Sequence, residues 1–239
     1  MAKLYVVGIG PGGRDNMTLR AVEVIKKCDV LVGYTPYIKY LGELADGKEL
    51  FSTGMTGEIQ RCKIAVEKVR EGKDTAIIST GDAGLYGMAG PVLELREEID
   101  VEIVPGVTAA FSAASELGSP IMHDHASISL SDLLTPWEVI EKRLETASLG
   151  NFVISIYNPK SKGRKSHLER AVEVMLRYKS PSTPVGIVKN SGRDNTEKRI
   201  TTLDNIDYDA IDMLSIIIVG NSKTYTKDGF MITPRGYKL

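Results

Sequence analysis

The chain has few of the residues that mark several common classes of protein. Its 239 residues include two cysteines, three histidines and one tryptophan, and only 6% are aromatic. The spacing of Cys28 and Cys62 matches no metal-binding motif, which favours two reduced, buried thiols. A net charge of −1 gives no overall positive field to attract phosphates, and this argues against a nucleic-acid-binding protein.

Long hydrophobic runs are missing as well. The longest, at residues 216–219, is far too short to cross a bilayer. The first residues lead directly into an apolar β-type run, which is unlike a signal peptide. We therefore expect a soluble, cytoplasmic protein with no membrane partner, and the 42% of hydrophobic residues suits an ordinary globular fold.

In the first half of the chain, apolar runs alternate with amphipathic helical patterns. Such alternation predicts βαβ units and a mostly parallel sheet. The predicted strands are residues 4–9, 30–33, 49–53, 75–79 and 101–104, and the predicted helices are residues 18–27, 59–71, 89–98 and 108–117. A break follows at Gly118-Ser119-Pro120.

The second half continues the alternation with one difference. Strands are predicted at residues 126–130, 152–157, 185–190, 199–203 and 214–220, with helices at 136–148 and 166–178. The short link at residues 191–195 is typical of a hairpin, so this sheet is mixed. We predict two α/β domains with a cleft between them, residues 1–120 and residues 121–239.

Two Gly-rich segments follow predicted strands of the first half. In residues 79–88, small residues surround a single acid, Asp82, which can accept hydrogen bonds from hydroxyl or ammonium groups of a ligand. Residues 104–110 form a second strand-to-helix connection. The alternative is structural: Asp82 and Thr108 serve as caps of the helices that follow.

A third Gly-rich segment, residues 8–13, fits the pattern G-x-G-x-x-G of dinucleotide-binding proteins. Pro11 removes a backbone donor from the turn that would hold phosphates, and the next helix is predicted to start late. The strand at residues 30–33 has no acid at its carboxyl end to hold a ribose. These features favour a loop that approaches a ligand without binding pyrophosphate.

Residues 8–12, 79–86, 104–109 and 157–159 resemble, in order and spacing, the motifs of the tetrapyrrole (corrin/porphyrin) methylases. The resemblance extends over nearly the whole chain. It is closest to the branch that methylates C17 of precorrin-3B or cobalt-factor III and contracts the ring during cobalamin synthesis. The segments that carry this second resemblance are residues 33–34, 52–55, 82–90, 123–124 and 129–137.

The resemblance implies a homodimer whose two-domain subunits hold S-adenosyl-L-methionine in the cleft between their domains. A precorrin or cobalt-precorrin macrocycle would be the substrate. The residues that it assigns to the cofactor are Pro11, Gly81, Asp82, Leu85, Tyr86, Thr108, Ala109, Tyr157 and Asn190.

Methyl transfer from a sulfonium requires alignment and exclusion of water, but no metal, and we predict no metal site. Ring contraction also requires a proton to move, so a general acid or base is expected. The candidates are His123, Asp124 and Asp132, with His125 beside them. The alternative is that residues 123–125 form a polar linker between the domains.

The macrocycle carries many carboxylates, which need cationic donors. The basic run at residues 160–165 follows a predicted strand end and supplies Lys160 and Arg164, while Arg61 and Arg193 are further candidates. The alternative is a solvated basic loop. For the whole chain, the alternatives are a precorrin methyltransferase that modifies another position and a non-catalytic tetrapyrrole- or nucleotide-binding protein.

Overall fold

A computed structural model describes residues 2–161 and 163–238 of the chain. The chain divides after Ala109 into two compact units, unit 1 and unit 2. The boundary predicted at residue 120 lies further along the chain, because most of the intervening helix belongs to unit 2. Within unit 2, Leu117 of this helix packs against Gly186, where a Cβ would lie 2.3 Å from the Leu117 side chain.

Unit 1 is built on a five-stranded sheet in which every pair of neighbouring strands is parallel, as predicted. The strand order is β3-β2-β4-β1-β5. The strands are β1 (Leu4–Gly8), β2 (Val30–Tyr34), β3 (Glu49–Thr53), β4 (Thr75–Ser79) and β5 (Val101–Val104). The helices are α1 (Leu19–Lys27), α2 (Thr35–Lys39), α3 (Glu58–Arg70), α4 (Ala89–Leu95) and α5 (Ala109–Leu117), the last of which continues into unit 2.

Both faces of this sheet are buried. Tyr5 and Val7 of β1 belong to an apolar cluster with α1, whereas Leu4 and Val6 belong to a second cluster with α3 and α4. Successive side chains of a strand point to opposite faces, so a strand covered on both sides reads as a continuous apolar run. This explains why the predictions of the strands β1, β2 and β4 agree so closely with the structure.

Helix α2 was not predicted. It has five residues and follows β2 directly, so no amphipathic period develops in the sequence. Pro36 stands in its first turn, where a missing backbone N–H costs nothing. By contrast, α1 begins where expected, because the Thr18 hydroxyl accepts a hydrogen bond from the Ala21 backbone N–H at 3.1 Å.

Unit 2 contains the predicted mixed sheet, in the order β10-β9-β11-β8-β7. Its apolar core lies between this sheet and two helices. The strands are β7 (His125–Ser129), β8 (Val153–Tyr157), β9 (Pro184–Lys189), β10 (Glu197–Thr202) and β11 (Ser215–Val219), and the helices are α6 (Trp137–Leu149) and α7 (His167–Leu176). A small third sheet, not predicted, joins β6 (Gly118–Ser119), β12 (Tyr225–Lys227) and β13 (Phe230–Ile232).

Three strands of the larger sheet in unit 2 run in the same direction. β7 is parallel to β8, and β11 is antiparallel to both β8 and β9. The segments that follow β7, β8 and β9 therefore emerge together, at what we call the carboxyl edge of unit 2. The segments that precede these strands lie at the opposite, amino edge.

Within residues 2–161 and 163–238, no helix is both long and apolar enough to cross a membrane.

Lys179 provides a test of the core of unit 2. It is 7% exposed, and its ammonium donates to the carbonyl oxygens of Phe152, at 2.7 Å, and Gly220, at 2.9 Å. Burial lowers the pKa of Lys179 from 10.5 to about 8. Between these values the folded protein releases a proton that the unfolded chain keeps, so this group makes the protein more stable as the pH rises.

We predict that Lys179→Met lowers the free energy of unfolding by about 1 kcal/mol at pH 7, because two carbonyls lose their donor. The deficit should grow between pH 8 and pH 10, where the wild type gains stability. Urea unfolding at each pH measures it, with Lys142→Met on the exposed face of α6 as the control. A deficit that stays constant across this range would contradict the assignment.

Candidate active site

Three loops of unit 1 meet at one edge of its sheet. They follow the adjacent parallel strands β4, β1 and β5, and we call them the β4 loop (residues 80–88), the β1 loop (residues 9–18) and the β5 loop (residues 105–108). Gly10 and Gly81 exchange two backbone hydrogen bonds, of 3.1 and 2.7 Å, which join the first two loops. The β1 and β4 loops are therefore in direct contact in unit 1.

The Asp82 carboxylate joins the β4 loop to the β5 loop. Its Oδ1 accepts hydrogen bonds from the backbone N–H groups of Gly84, at 2.8 Å, and Leu85, at 3.1 Å. Its Oδ2 accepts one from the Gly106 N–H at 3.0 Å. Asp82 does not cap α4, which begins after Met88 without a side-chain cap. A carboxylate offers about four acceptor positions, so one remains for a ligand.

Two glycines of these loops stand where the backbone packs too closely for a side chain. A Cβ at Gly106 would lie 2.2 Å from the Gly81 carbonyl oxygen and 2.6 Å from that of Gly8. A Cβ at Gly87 would lie 2.5 Å from the Ala83 carbonyl oxygen. Gly87 therefore serves the packing of the β4 loop against itself.

The remaining predicted cofactor residues of unit 1 occupy the same three loops. Pro11 and Thr108 are buried, and Leu85 and Ala109 are half-buried. Tyr86 is 52% exposed and has a φ of 57°, a conformation that is unusual for an aromatic residue. Strained backbone of this kind concentrates at ligand sites.

The Gly-rich parts of these loops carry little charge. Among residues 8–13, 79–88 and 104–109, the single charged residue is Asp82. No lysine or arginine stands there to neutralise a pyrophosphate, and α1 begins only at Leu19, well past the Gly-rich turn. The composition therefore suits a neutral or cationic ligand better than a dinucleotide.

In unit 2, the predicted cofactor residues Tyr157 and Asn190 both lie at the carboxyl edge. The buried Tyr157 hydroxyl accepts a hydrogen bond from the Ala110 backbone N–H at 3.1 Å. Asn190 follows β9, is 6% exposed and has a φ of 52°. The structure thus brings these two residues to the same edge of the sheet.

Asp132 lies at this edge too, after β7. Its Oδ2 is 2.9 Å from Nε2 of His167, the first residue of α7. The hydrogen bond with His167, aided by the charge of Arg164, holds the pKa of Asp132 below its usual range. Asp132 is accordingly a carboxylate with one restrained oxygen, and its side chain is 35% exposed.

The other two predicted catalytic residues lie elsewhere. His123 and Asp124 precede β7, at the amino edge, where they line a shallow cavity of about 350 Å³ together with Phe152 and Arg235. The length of β7 separates them from Asp132 by roughly 13 Å or more. The structure therefore does not bring the three predicted catalytic residues together.

The predicted carboxylate-binding residues also differ in their surroundings. Arg61, in unit 1, is 4% exposed and donates to the Thr53 hydroxyl, the Gly54 carbonyl and the Glu58 carboxylate. Lys160 donates to the Tyr208 carbonyl at 2.8 Å. Arg193 is half-buried in the link between β9 and β10, and Lys162 of the basic run lies outside the described residues.

Arg164 is the exception. It is 8% exposed, and its Nε is buried without a hydrogen-bond partner among the residues that the structure describes. An arginine that is buried with an unused donor carries a large desolvation cost unless an anion joins it. Arg164 is thus the candidate best suited to a carboxylate of a ligand.

Sequence reasoning missed His167. It was set aside because it stands apart from the histidines at 123 and 125. Its position in the chain carried a signal, since it opens a helix just after the basic run that follows β8, next to the segment after β7. In the described part of the chain, no three His, Cys, Asp or Glu side chains gather into a metal-binding group.

Comparison with known proteins gives a consistent result. Residues 3–207 match the family model described as Tetrapyrrole (Corrin/Porphyrin) Methylases. The chain is 51% identical to a probable cobalt-factor III C(17)-methyltransferase of Salmonella typhimurium, over 99% of this chain and 100% of that protein. It is 46% identical to a cobalt-factor III methyltransferase of Priestia megaterium, covering 99% of this chain but 45% of that longer protein.

Among solved structures, the fold is similar to that of the methyltransferase CobJ, with a TM-score of 0.94 and 30% sequence identity. The alignment covers 98% of this chain and 100% of that one. The chain belongs to the tetrapyrrole (corrin/porphyrin) methylase family. Both relatives named above match 99% of this chain, and both are named for methylation of cobalt-factor III.

The packing of the three loops can be tested at Gly106. We predict that Gly106→Ala destabilises the protein by about 3 kcal/mol, because its Cβ would overlap backbone oxygens that cannot move independently. Gly90→Ala is the matched control: the site in α4 is open, and alanine there should stabilise by up to about 1 kcal/mol. Equal effects of the two changes in thermal unfolding would contradict this packing.

Proposed function

We propose that this protein is an S-adenosylmethionine-dependent methyltransferase that methylates C17 of precorrin-3B or cobalt-factor III, couples this to ring contraction in cobalamin synthesis, and works as a cytoplasmic homodimer. The observation that carries the proposal is 51% identity over the whole length of a protein named for that reaction. The three charge-poor loops of unit 1 support it independently, because their composition suits a cationic sulfonium.

S-adenosylmethionine would supply a methyl group on positively charged sulfur. An electron-rich carbon of the substrate attacks this methyl group in line, and the sulfur leaves as a neutral thioether. The composition of residues 8–13, 79–88 and 104–109 fits this group: Asp82 is their one anion, they include no cation, and one acceptor position of Asp82 remains open. The residues that would hold it in unit 1 are Pro11, Gly81, Asp82, Leu85, Tyr86, Thr108 and Ala109. Tyr157 and Asn190 are the corresponding residues of unit 2.

The contribution of these residues to methyl transfer is alignment. Asp82 fixes the β4 loop against the β5 loop, so the backbone groups that would contact the cofactor keep one geometry. The exposed ring of Tyr86 and the half-buried side chain of Leu85 provide apolar surface that excludes water. Alignment and dryness are the main requirements of a displacement that already has a good leaving group.

Arg164 is proposed to bind a carboxylate arm of the macrocycle, with Lys160, Arg193 and Arg61 in lesser roles, since Lys160 and Arg61 donate to protein oxygens. For proton movement, Asp132 is favoured over His123 and Asp124. Asp132 shares the carboxyl edge of unit 2 with Tyr157 and Arg164, whereas His123 and Asp124 lie at the amino edge.

The reaction is tested by incubating the purified protein with methyl-labelled S-adenosylmethionine and either cobalt-factor III or precorrin-3B. Mass spectrometry, absorbance and NMR of the product should show one labelled methyl group at C17 and a contracted ring. Label at another carbon would identify a methyltransferase of different regiochemistry. Cofactor binding without transfer would identify a binding protein, and either outcome would contradict the proposal.

We predict that Arg164→Ala raises the KM for the macrocycle roughly tenfold or more, because a charge-assisted hydrogen bond is lost. Arg164→Lys should recover part of the loss, since it keeps the charge but not the planar fork. Arg143→Ala, on the exposed face of α6, is the control. Steady-state kinetics at two salt concentrations measure the effect, and an unchanged KM in a folded Arg164→Ala protein would exclude the role.

A further inference from the structure

His167 is a partly shielded histidine that the proposed reaction does not yet use. Its side chain is 12% exposed, and its ring packs edge-on against Trp137 with centroids 5.0 Å apart. Nε2 lies 2.9 Å from Oδ2 of Asp132. The ring is therefore held between an aromatic wall and a carboxylate, with little freedom to rotate.

The second ring nitrogen determines where the proton sits. Nδ1 of His167 is buried, and none of the described residues supplies it with a hydrogen-bond partner. A proton on Nδ1 would be a buried donor without an acceptor, which is costly. A neutral ring consequently carries its proton on Nε2, where it is donated to Asp132. The hydrogen bond uses Oδ2 of Asp132, so Oδ1 of this partly exposed side chain lies outside it.

The charged groups around the pair come from three elements. Arg164 stands in the segment after β8, and its charge acts on Asp132. Arg170 of α7 lies over the Trp137 ring at 4.1 Å, and Glu141 of α6 accepts a hydrogen bond from the indole N–H at 3.1 Å. Of these, Arg164 is the one whose charge the structure couples to Asp132.

We propose that His167 is a positioning residue for ring contraction: its Nε2–H fixes the Asp132 carboxylate through Oδ2 so that the other oxygen, Oδ1, can take a proton from a substrate oxygen. This inference rests on the proposed function. In the step, a substrate O–H bond breaks, the proton passes to Oδ1 of Asp132, and the electron pair stays on the substrate oxygen. The unpaired donor of the neighbouring Arg164 suits the anionic arms of the same substrate.

The experiment compares methyl transfer with ring contraction in His167→Leu, His167→Gln and Asp132→Asn. We expect His167→Leu to slow ring contraction about tenfold or more while methyl transfer changes little, so that methylated but uncontracted product accumulates. In His167→Leu, the acid limb of the pH–rate profile for ring contraction should also move to higher pH, because Asp132 loses the donor that keeps it ionised. Glutamine retains an N–H donor at a similar reach and should restore much of the rate.

Asp207→Asn is the control, since the Asp207 carboxylate pairs with the exposed Arg199. A folded His167→Leu protein in which both steps slow equally, or in which the acid limb does not move, would overturn the inference. A wild type that transfers no methyl group would instead overturn the proposed function and this inference with it. The two failures are therefore distinguishable.

Discussion

The arrangement of the three loops of unit 1 depends first on the carboxylate of Asp82. Asp82 binds three backbone N–H groups from two loops, and the third loop is attached through the paired backbone bonds of Gly10 and Gly81. Backbone N–H groups that gather in a loop normally need an anion. Here the protein provides its own, so the loops are ordered before any ligand arrives and keep little charge for a phosphate.

Charge is distributed differently in the two units. The Gly-rich segments of unit 1, residues 8–13, 79–88 and 104–109, contain one acid and no base, which suits a cationic ligand such as a sulfonium. The carboxyl edge of unit 2 contains a buried arginine and an aspartate held by a histidine, which suits anionic arms and proton movement. Under the proposed function, unit 1 would serve methyl transfer and the carboxyl edge of unit 2 would serve ring contraction.

The sequence was most informative where one physical cause dominates. The strands β1, β2 and β4 of unit 1 are buried on both faces and appear as apolar runs, so their positions were predicted almost to the residue. In the small third sheet, β6 pairs with β13, which lies far along the chain, and no local pattern predicts such a pairing. The hairpin of β12 and β13 does have a local signal, Asp228-Gly229, and both residues have positive φ. The neighbours of a residue next to β7 depend on the end of the strand at which it lies. His123 and Asp124 precede β7 and Asp132 follows it, so these residues are close in the chain but lie at opposite edges of the sheet.

The central claim is that the three loops of unit 1 form the cofactor site. Titration of ¹⁵N-labelled protein with S-adenosylhomocysteine, followed by backbone NMR, tests it most directly. The account predicts that the amide signals of Gly81, Leu85, Tyr86, Thr108 and Ala109 shift most within unit 1. Saturable binding that leaves these amides unchanged and moves signals only at the amino edge of unit 2 would contradict it.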